Sequence, residues 1–553
     1  MKSKHLSPIV FAAFIIILTI VSCKEKRKPI GQKEVVTKTE ELKLTVAEVI
    51  ESSLEEAEDN GGRVGGIDLH EFEKVKGLYE DQSYAPLWTN NGAWLPAGDS
   101  LYAFVRHAAE YGLYPQDYHA DRIDTLHWKT VRDTSRTNRL DASLWAESEL
   151  LLTSALIKVV NDLKVGRLVA DSILHRDTSL SKMFYRKALD SFRVMSTASF
   201  AATLEPRHKG YQDLKAALQS FLPGADLTRR THINTKDTLH YAAQVSRRLV
   251  EDSIAVADPR DSVLLAAGIR SWQKAHGMKV DGRMSAALFA RMNRTAADTF
   301  LQVALTLDRY KSLPTMPATY VWVNIPSYRL DVVDADTVVL TSRVVVGKPE
   351  TRTPVLTSVI SDMITYPLWH IPNSIIVKDI LPALKKDPGY LARKGFSLVD
   401  DKHNEIDPYT VDWSKYNKGI PYTVVQGSGD ANALGVIKFN FPNNYSVYLH
   451  DTNQREFFSR AKRALSHGCV RVASWEDLST YLLSRDSTAA NAVPLDSMQT
   501  WLLRKEKHVI PLHNRVPLYI RYFSAEGKDG ELALHEDIYG EDRRLRQTYF
   551  ATK

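Results

Sequence analysis

The sequence predicts a multidomain α+β protein: an all-α scaffold domain, a small helical module, and a mainly-β domain with a helical and loop lid. Three observations predict it. A chain of 553 residues has length for several buried cores at roughly 100–200 residues per domain. Apolar residues recur at helical spacing before Pro317 and at strand spacing after it. The composition, 44% hydrophobic, 25% charged and 9% aromatic, excludes a wholly disordered chain and a multi-span membrane protein. A net charge of +6, with no dense Lys/Arg tract and no GxxxxGK[ST] run, argues against nucleic acid and nucleotide triphosphates as partners.

The elements follow in chain order. Lys2 and Lys4 precede thirteen uncharged residues, Ile9 to Val21, then Ser22 and Cys23, which is the layout of an export signal over residues 1–22. Such a stretch rises about 20 Å as a helix, short of a roughly 30 Å hydrocarbon core. Ile20-Val21-Ser22-Cys23 resembles a bacterial lipobox, and the resemblance implies lipidation of Cys23 and a membrane contact through that lipid. Lys24, where retention at the inner membrane is associated with Asp, points to an outer-membrane lipoprotein facing the periplasm. Residues 23–64, rich in Lys and Glu and closing on Gly61-Gly62 and Gly65-Gly66, read as a flexible tether.

A helical scaffold domain is expected over residues 65–250. Leu152, Ala155, Leu156, Val159, Val160 and Leu163 trace one stripe, with Glu147, Ser154, Lys158 and Asp162 outside it. Trp88, Trp94, Tyr111 and Tyr114 are assigned to packing. A small module is expected over 251–296: Ser262 caps a helix whose Leu265, Ile269, Trp272 and His276 share a face, Gly277 stops it, and Ser285 to Met292 forms a second helix. Trp272-Gln273, Gly277 and Asp281-Gly282 resemble the signature of peptidoglycan-binding modules, which implies a glycan contact through 262–292. A connecting helix over 297–317 leads to the β domain, 318–545, opened by the runs Tyr320–Ile325, Tyr328–Val333 and Val338–Val346. A helix and loops at about 374–420 interrupt the strands as a capping insertion.

The chemistry-bearing residues sit late in that domain. Gly435 to Phe441 alternates Ile437, Phe439 and Phe441 with Lys438 and Asn440; Pro442-Asn443-Asn444 turns the chain, and Ser446 to His450 returns as the second strand of a hairpin. A period of two sets Tyr448 and His450 on one face. Arg455 to Leu465 fits a helix that ends in Ser466-His467-Gly468-Cys469-Val470-Arg471-Val472, an excursion that returns Cys469 beside His450. A nucleophilic cysteine needs a base for its proton and donors for the oxyanion it creates. His450 supplies the first; N–H groups around Gly468 and Cys469 supply the second, and Arg471 adds a positive charge. Ser474 and Asp477 have the spacing of a capping box for the next helix. Zinc ligation by His450, His467 and Cys469 lacks a CxxC or HExxH partner and has only Asp451 as a weak fourth ligand, so neither metal nor cofactor is expected. A papain-like enzyme would place its Cys before its His.

His450 and, after a span, Ser-His-Gly-Cys-Val-Arg resemble the catalytic signature of the L,D-transpeptidases of bacterial cell walls. Val346-Gly347-Lys348 with Thr353-Pro354, Tyr366-Pro367-Leu368-Trp369-His370-Ile371-Pro372, and Asn432 to Phe439 resemble the large multidomain branch of that family. The resemblance implies Cys469 as nucleophile, His450 as general base, and His467 with Gly468 as shapers of the oxyanion site. It implies Tyr448, Arg471, Ser466, Asn432 and Trp369 as substrate-binding residues. It also implies donor and acceptor peptidoglycan stem peptides as partners, a cysteine thioester intermediate, release of terminal D-Ala, and carbapenem sensitivity. The alternatives are an L,D-carboxypeptidase using the same thioester and a non-catalytic peptidoglycan-binding lipoprotein.

Overall fold

The computed structural model describes residues 27–168, 179–256, 258, 260–487, 489 and 491–549. The export signal and Cys23 lie outside the described residues. The described chain forms two compact units. One is drawn from residues up to 106, 116–159 and 180–197; the other from 107–115, 160–168, 179 and the residues from 198 onward.

The expected tether is ordered from residue 39. Thr39–Asp59 is a helix whose Leu42, Val46, Val49, Ile50, Leu54 and Ala57 are buried, followed by a tight hairpin pairing Arg63–Val64 with Ile67–Asp68. The Lys and Glu content that suggested a solvated linker occupies the other face of an amphipathic helix. The helix Ala142–Lys164 departs from its expected stripe as well, since Glu147, Ser154 and Asp162 are as buried as the leucines. Arg122 bonds Glu147 at 2.5 Å, and Ser154 Oγ accepts the His70 N–H at 2.9 Å, so these polar groups are satisfied inside.

The expected 65–250 scaffold does not close on one core. The helix Lys209–Phe221 sends Tyr211, Leu214 and Leu218 into a cluster with Phe300, Val303, Leu307 and Tyr310 of the helix Ala296–Lys311 and with Trp322, Tyr519 and Phe523 of the β domain. Helical spacing shows which face is buried, not which core receives it. The small module likewise begins earlier than residue 251, because Ile233, Val245 and Leu249 share a core with Leu265, Ile269, Trp272, Leu288, Phe289 and Met292. Its first helix, Ser262–Ala275, is capped by Asp261, whose carboxylate accepts the N–H of Val263 and Leu264, rather than by Ser262. Gln273 is buried and bonds the Asp281 carboxylate at 2.9 Å while accepting the N–H groups of Asp281 and Gly282, so these signature residues lock the turn to one another.

The β domain is a closed, strongly twisted sheet. Its strands are β1 Thr319–Asn324, β2 Arg329–Asp334, β3 Thr337–Gly347, β4 Leu356–Thr365, β5 Ile437–Asn440, β6 Leu449–His450, β7 Ala464–Ser466, β8 Val470–Val472 and β9 Val509–Arg521. They lie in the order β7-β3-β8-β6-β5-β4-β9-β1-β2, and β2 pairs back onto β3. Val321, Val323, Leu330, Val332, Val344, Val346, Ile437, Phe439, Leu449, Val470 and Val472 point inward and pack a common core. Strand alternation therefore turns Lys438, Tyr448, His450 and Arg471 to the opposite face.

The lid is broader than 374–420. Phe396–Val399, Thr423–Gln426 and Trp369–His370 form its own three-stranded sheet, over a core of Ile371, Ile376, Ile380, Leu381, Leu384, Leu391, Leu398, Trp413 and Val424. The helix expected from Arg455 is a short 3-10 turn over Arg455–Ser459, after which the chain extends into β7. Pairing wins there: β7 runs parallel to β3, and Arg463 donates to the carbonyls of Val344 and Tyr328. Ser474 stands before the helix Trp475–Asp486 without a side-chain cap bond.

Candidate active site

The sheet register builds the site. β6 and β8 run parallel with Leu449 opposite Val470 and His450 opposite Arg471; Val470 N–H donates to Tyr448 O at 3.1 Å. Cys469, one residue before β8, thus lies beside Tyr448, with His450 the next residue along on the same face. On the other side of β6, Lys438 of β5 pairs with His450. One row of the sheet therefore reads Lys438, His450, Arg471, with Cys469 and Tyr448 one register position below. The hairpin turn holds because Asn443 Oδ1 accepts the N–H of Tyr445 and Val447 while its Nδ2 donates to Phe441 O and Val447 O.

These side chains open onto a cavity of about 330 Å³ lined by Trp369, Asn373, Ile375, Tyr445, Ser446, Tyr448, His450, Ser466, His467, Cys469 and Arg471, among others. The lid forms one wall. Cys469 is half-buried there; His450 is 4% exposed. The Cys469 thiol donates to Ser446 O at 4.0 Å, and among the described residues no hydrogen bond joins its sulfur to the His450 ring. Among the described residues His450 Nδ1, Arg471 Nε and Trp369 Nε1 are buried without a hydrogen bond of regular geometry, although the backbone of Asp451 and Leu434 lies against the His450 ring and the Tyr448 hydroxyl against Trp369.

The electrostatics favour a neutral resting pair. Burial, with Arg471 beside it, brings the His450 pKa down to about 3; the backbone of Asp451 and Leu434 works the other way, and Lys438 adds to the lowering. Burial pushes the Cys469 thiol up, opposed by hydrogen bonding from Tyr448 and by the charges of Lys438 and Arg471. An imidazole that stays unprotonated is available to receive a proton. Burial and the neighbouring Cys469 also keep the Tyr448 hydroxyl protonated.

The loop before Cys469 is braced from two sides. Ser466 Oγ donates to Cys469 O at 2.6 Å and accepts the Gly468 N–H at 3.1 Å. Thr353 Oγ1 donates to Gly468 O at 2.8 Å and accepts the Gly347 N–H at 2.9 Å. Gly468 has φ +123°, a conformation that L side chains rarely adopt, which is why this position is glycine. With its N–H committed to Ser466, Gly468 contributes shape, and the donor of this loop left uncommitted is the N–H of Cys469. Among the described residues that N–H has no partner. Ser466, expected at the substrate, is 2% exposed and spends its hydroxyl on the loop.

Other expected residues divide. Tyr448, Arg471 and Trp369 line the cavity. Arg471 donates to Gln454 Oε1 at 2.7 Å and Thr452 Oγ1 at 3.2 Å, which fixes its guanidinium beside His450. Asn432 is a correction: it is buried outside the cavity and donates to Pro367 O and Gly427 O while accepting the Leu434 N–H. That turn brings in Gly435, at φ +62°, where a Cβ would overlap the Asp451 carboxylate. His467 is exposed and bonds Asp379 of the lid at 2.8 Å, so it ties the lid to the loop rather than facing the oxyanion position.

Sequence reasoning missed Asp379 and Thr353 as braces and Lys438 as a neighbour of the reacting groups. Only for Lys438 was a signal present: a cation on a strand whose cross-strand partner in the expected hairpin is the base.

Residues 318–486 match the family model described as the L,D-transpeptidase catalytic domain, and residues 73–218 match one described as a scaffold domain. His450, Cys469 and Arg471 fall inside the first match. A curated protein of Haemophilus influenzae, named as a provisional L,D-transpeptidase, is 36% identical over 247 residues, 44% of this chain and 48% of that protein. The chain thus spans about half the length of the curated relative it matches. A solved structure of an Ldtfm–avibactam carbamoyl enzyme aligns with 49% of this chain and 87% of its own at 12% identity, with a TM-score of 0.17, a likeness too slight to carry any inference.

Proposed function

We propose that this chain, which carries an L,D-transpeptidase catalytic domain over residues 318–486 and a scaffold domain over residues 73–218, cross-links peptidoglycan stem peptides by acyl transfer through a Cys469 thioester. The observation that carries this reading is the opening of Cys469, His450 and Arg471 onto one lid-walled cavity from adjacent strands.

In the proposed reaction a donor stem enters between the lid and β6. The thiol swings from Ser446 O toward His450, gives up its proton to the ring, and the sulfur attacks the carbonyl joining a third-position diamino acid to terminal D-Ala. The Cys469 N–H receives the oxyanion. His450 returns the proton to the leaving D-Ala amine, and a thioester remains. The side-chain amine of a neighbouring stem's diamino acid then attacks that thioester and loses a proton to His450, which leaves an amide between two third-position residues and the free thiol. The lid keeps water from competing. A carbapenem acylates the same sulfur in this scheme. Lipidation of Cys23 places the domain at a membrane facing the periplasm, and the Trp272–Asp281 module supplies a glycan contact.

Incubation of the soluble chain with disaccharide tetrapeptide tests the reading. Dimer with free D-Ala is the expected product. Tripeptide without dimer would make the enzyme a carboxypeptidase, and no turnover with unaltered wall binding by a Cys469→Ala variant would leave a wall-binding protein.

A further inference from the structure

Lys438 has a setting that the reaction as described does not use. It is half-buried on β5, its Cα is paired with that of His450, and its ammonium sits 4.1 Å from the centre of the Tyr448 ring. The Tyr448 ring in turn lies 5.6 Å from the His450 ring. A lysine is almost never taken fully out of water unless it is paired; among the described residues half-buried Lys438 has no carboxylate within ion-pair distance. Asp362, the carboxylate whose charge reaches it, is held by Asn440 at 2.6 Å and Ser361 at 2.7 Å. The ammonium is parked on the ring face, where attraction to the π system partly replaces water, and the sulfur of Cys469 lies on the other side of Tyr448 in the register.

We propose that Lys438 is a positioning residue for the nucleophile: its fixed charge favours the Cys469 thiolate over the thiol, and the Tyr448 ring holds it in place for that. The inference rests on Cys469 being the nucleophile proposed above. The negative charge missing from the Lys438 environment at rest is the one that ionisation of the Cys469 thiol creates. Arg471, two residues after Cys469, adds a second positive charge near the sulfur, while His450 lies in the row between Lys438 and Arg471, and both charges disfavour its imidazolium. Tyr448 also favours the thiolate, through hydrogen bonding, but it and the other groups facing the thiol bring no free positive charge. Tyr448 is neutral; Asp451 bonds Val436 N–H and Arg455, and Asp379 bonds His467 from the lid. Glu456 acts on Arg471. Burial raises the thiol; hydrogen bonding from Tyr448 lowers it, and the charges of Lys438 and Arg471 add to that lowering.

The test is the pH dependence of Cys469 alkylation by iodoacetamide in the full chain, quantified by peptide mass so that Cys23 is counted separately. Lys438→Met should move the midpoint up by about one pH unit and slow alkylation at neutral pH about tenfold. Lys438→Arg, which keeps the charge, should stay near the parent profile. A Lys438→Met profile that superimposes on the parent, or a Lys438→Arg profile displaced as far as Lys438→Met, overturns the proposal. Lys438→Gln replaces Lys438→Met, with the same expectations, should the latter fail to show a parent-like thermal transition. Because iodoacetamide needs no peptidoglycan, a displaced profile without cross-linking would remove the transpeptidase reading and leave this one standing; cross-linking with an undisplaced profile would do the reverse.

Discussion

Replacing Ser466 by Ala removes one hydroxyl and tests whether the loop geometry, rather than the mere presence of a thiol, makes the site. Ser466 is 2% exposed, and its oxygen makes two hydrogen bonds, to Cys469 O at 2.6 Å and from Gly468 N–H at 3.1 Å. Each is worth about 1 kcal/mol net, and leaving the Gly468 N–H buried without an acceptor holds the total near 2 kcal/mol. If that loss falls on the arrangement needed in the transition state, kcat/KM drops about thirtyfold, since 1.36 kcal/mol is tenfold. The assay is D-Ala release from disaccharide tetrapeptide by purified Ser466→Ala and parent protein, with thermal unfolding as a control. Thr353 still braces Gly468 from the other side, so the fold should persist and Tm should fall by no more than several degrees. A variant whose kcat/KM lies within twofold of the parent would refute the reasoning, because the hydroxyl would then hold nothing that the reaction uses.

Three further outcomes follow from the same geometry. His450 has a folded-state pKa of about 3, below its unfolded value near 6.5, so the unfolded chain binds the extra proton and stability declines as pH falls from about 6.5 toward 3. Urea midpoints at pH 7 and pH 4.5 should show that decline, and His450→Gln should flatten it; an equal slope in the variant contradicts the assignment. Asp379→Ala breaks the lid's bond to His467, an exposed pair worth at most about 1 kcal/mol. The ratio of tripeptide to dimer should therefore rise by up to about fivefold with Tm unchanged, and a constant ratio would show that this bond does not help exclude water. Gly435→Ala combines a positive φ with overlap on the buried Asp451 carboxylate, so it should cost several kcal/mol and lower Tm clearly. A parent-like melt would mean that the turn has another way to relax.

The site was legible because the strand period is local. Alternation alone assigned Tyr448 and His450 to one face, and Cys469 within Ser-His-Gly-Cys was singular in its surroundings. What stayed hidden depends on partners distant in sequence. Asp379 meets His467 across 88 positions and Thr353 meets Gly468 across 115; neither residue type carries a sign of that meeting. The chain from Arg455 to Leu465 has apolar positions at helical spacing, yet the open edge of β3 offered backbone pairing that spacing cannot register. The helix Thr39–Asp59 was hidden by its own polar face, and the division of the 65–250 region by the choice of which core each amphipathic helix joins. The signature of the small module resembles a glycan-binding mark, and the bond between its Gln273 and Asp281 side chains is a contact that the signature does not announce.

The claim that all of this serves is that the sulfur of Cys469, relieved of its proton by His450, takes the acyl group. Intact mass of the chain quenched in acid during turnover of disaccharide tetrapeptide measures that event. The account predicts an adduct of the donor less D-Ala, mapped to the Cys469 peptide, reversed by neutral hydroxylamine, and absent in His450→Ala. D-Ala release with no adduct on Cys469, or an adduct that forms at the parent rate in His450→Ala, would contradict it.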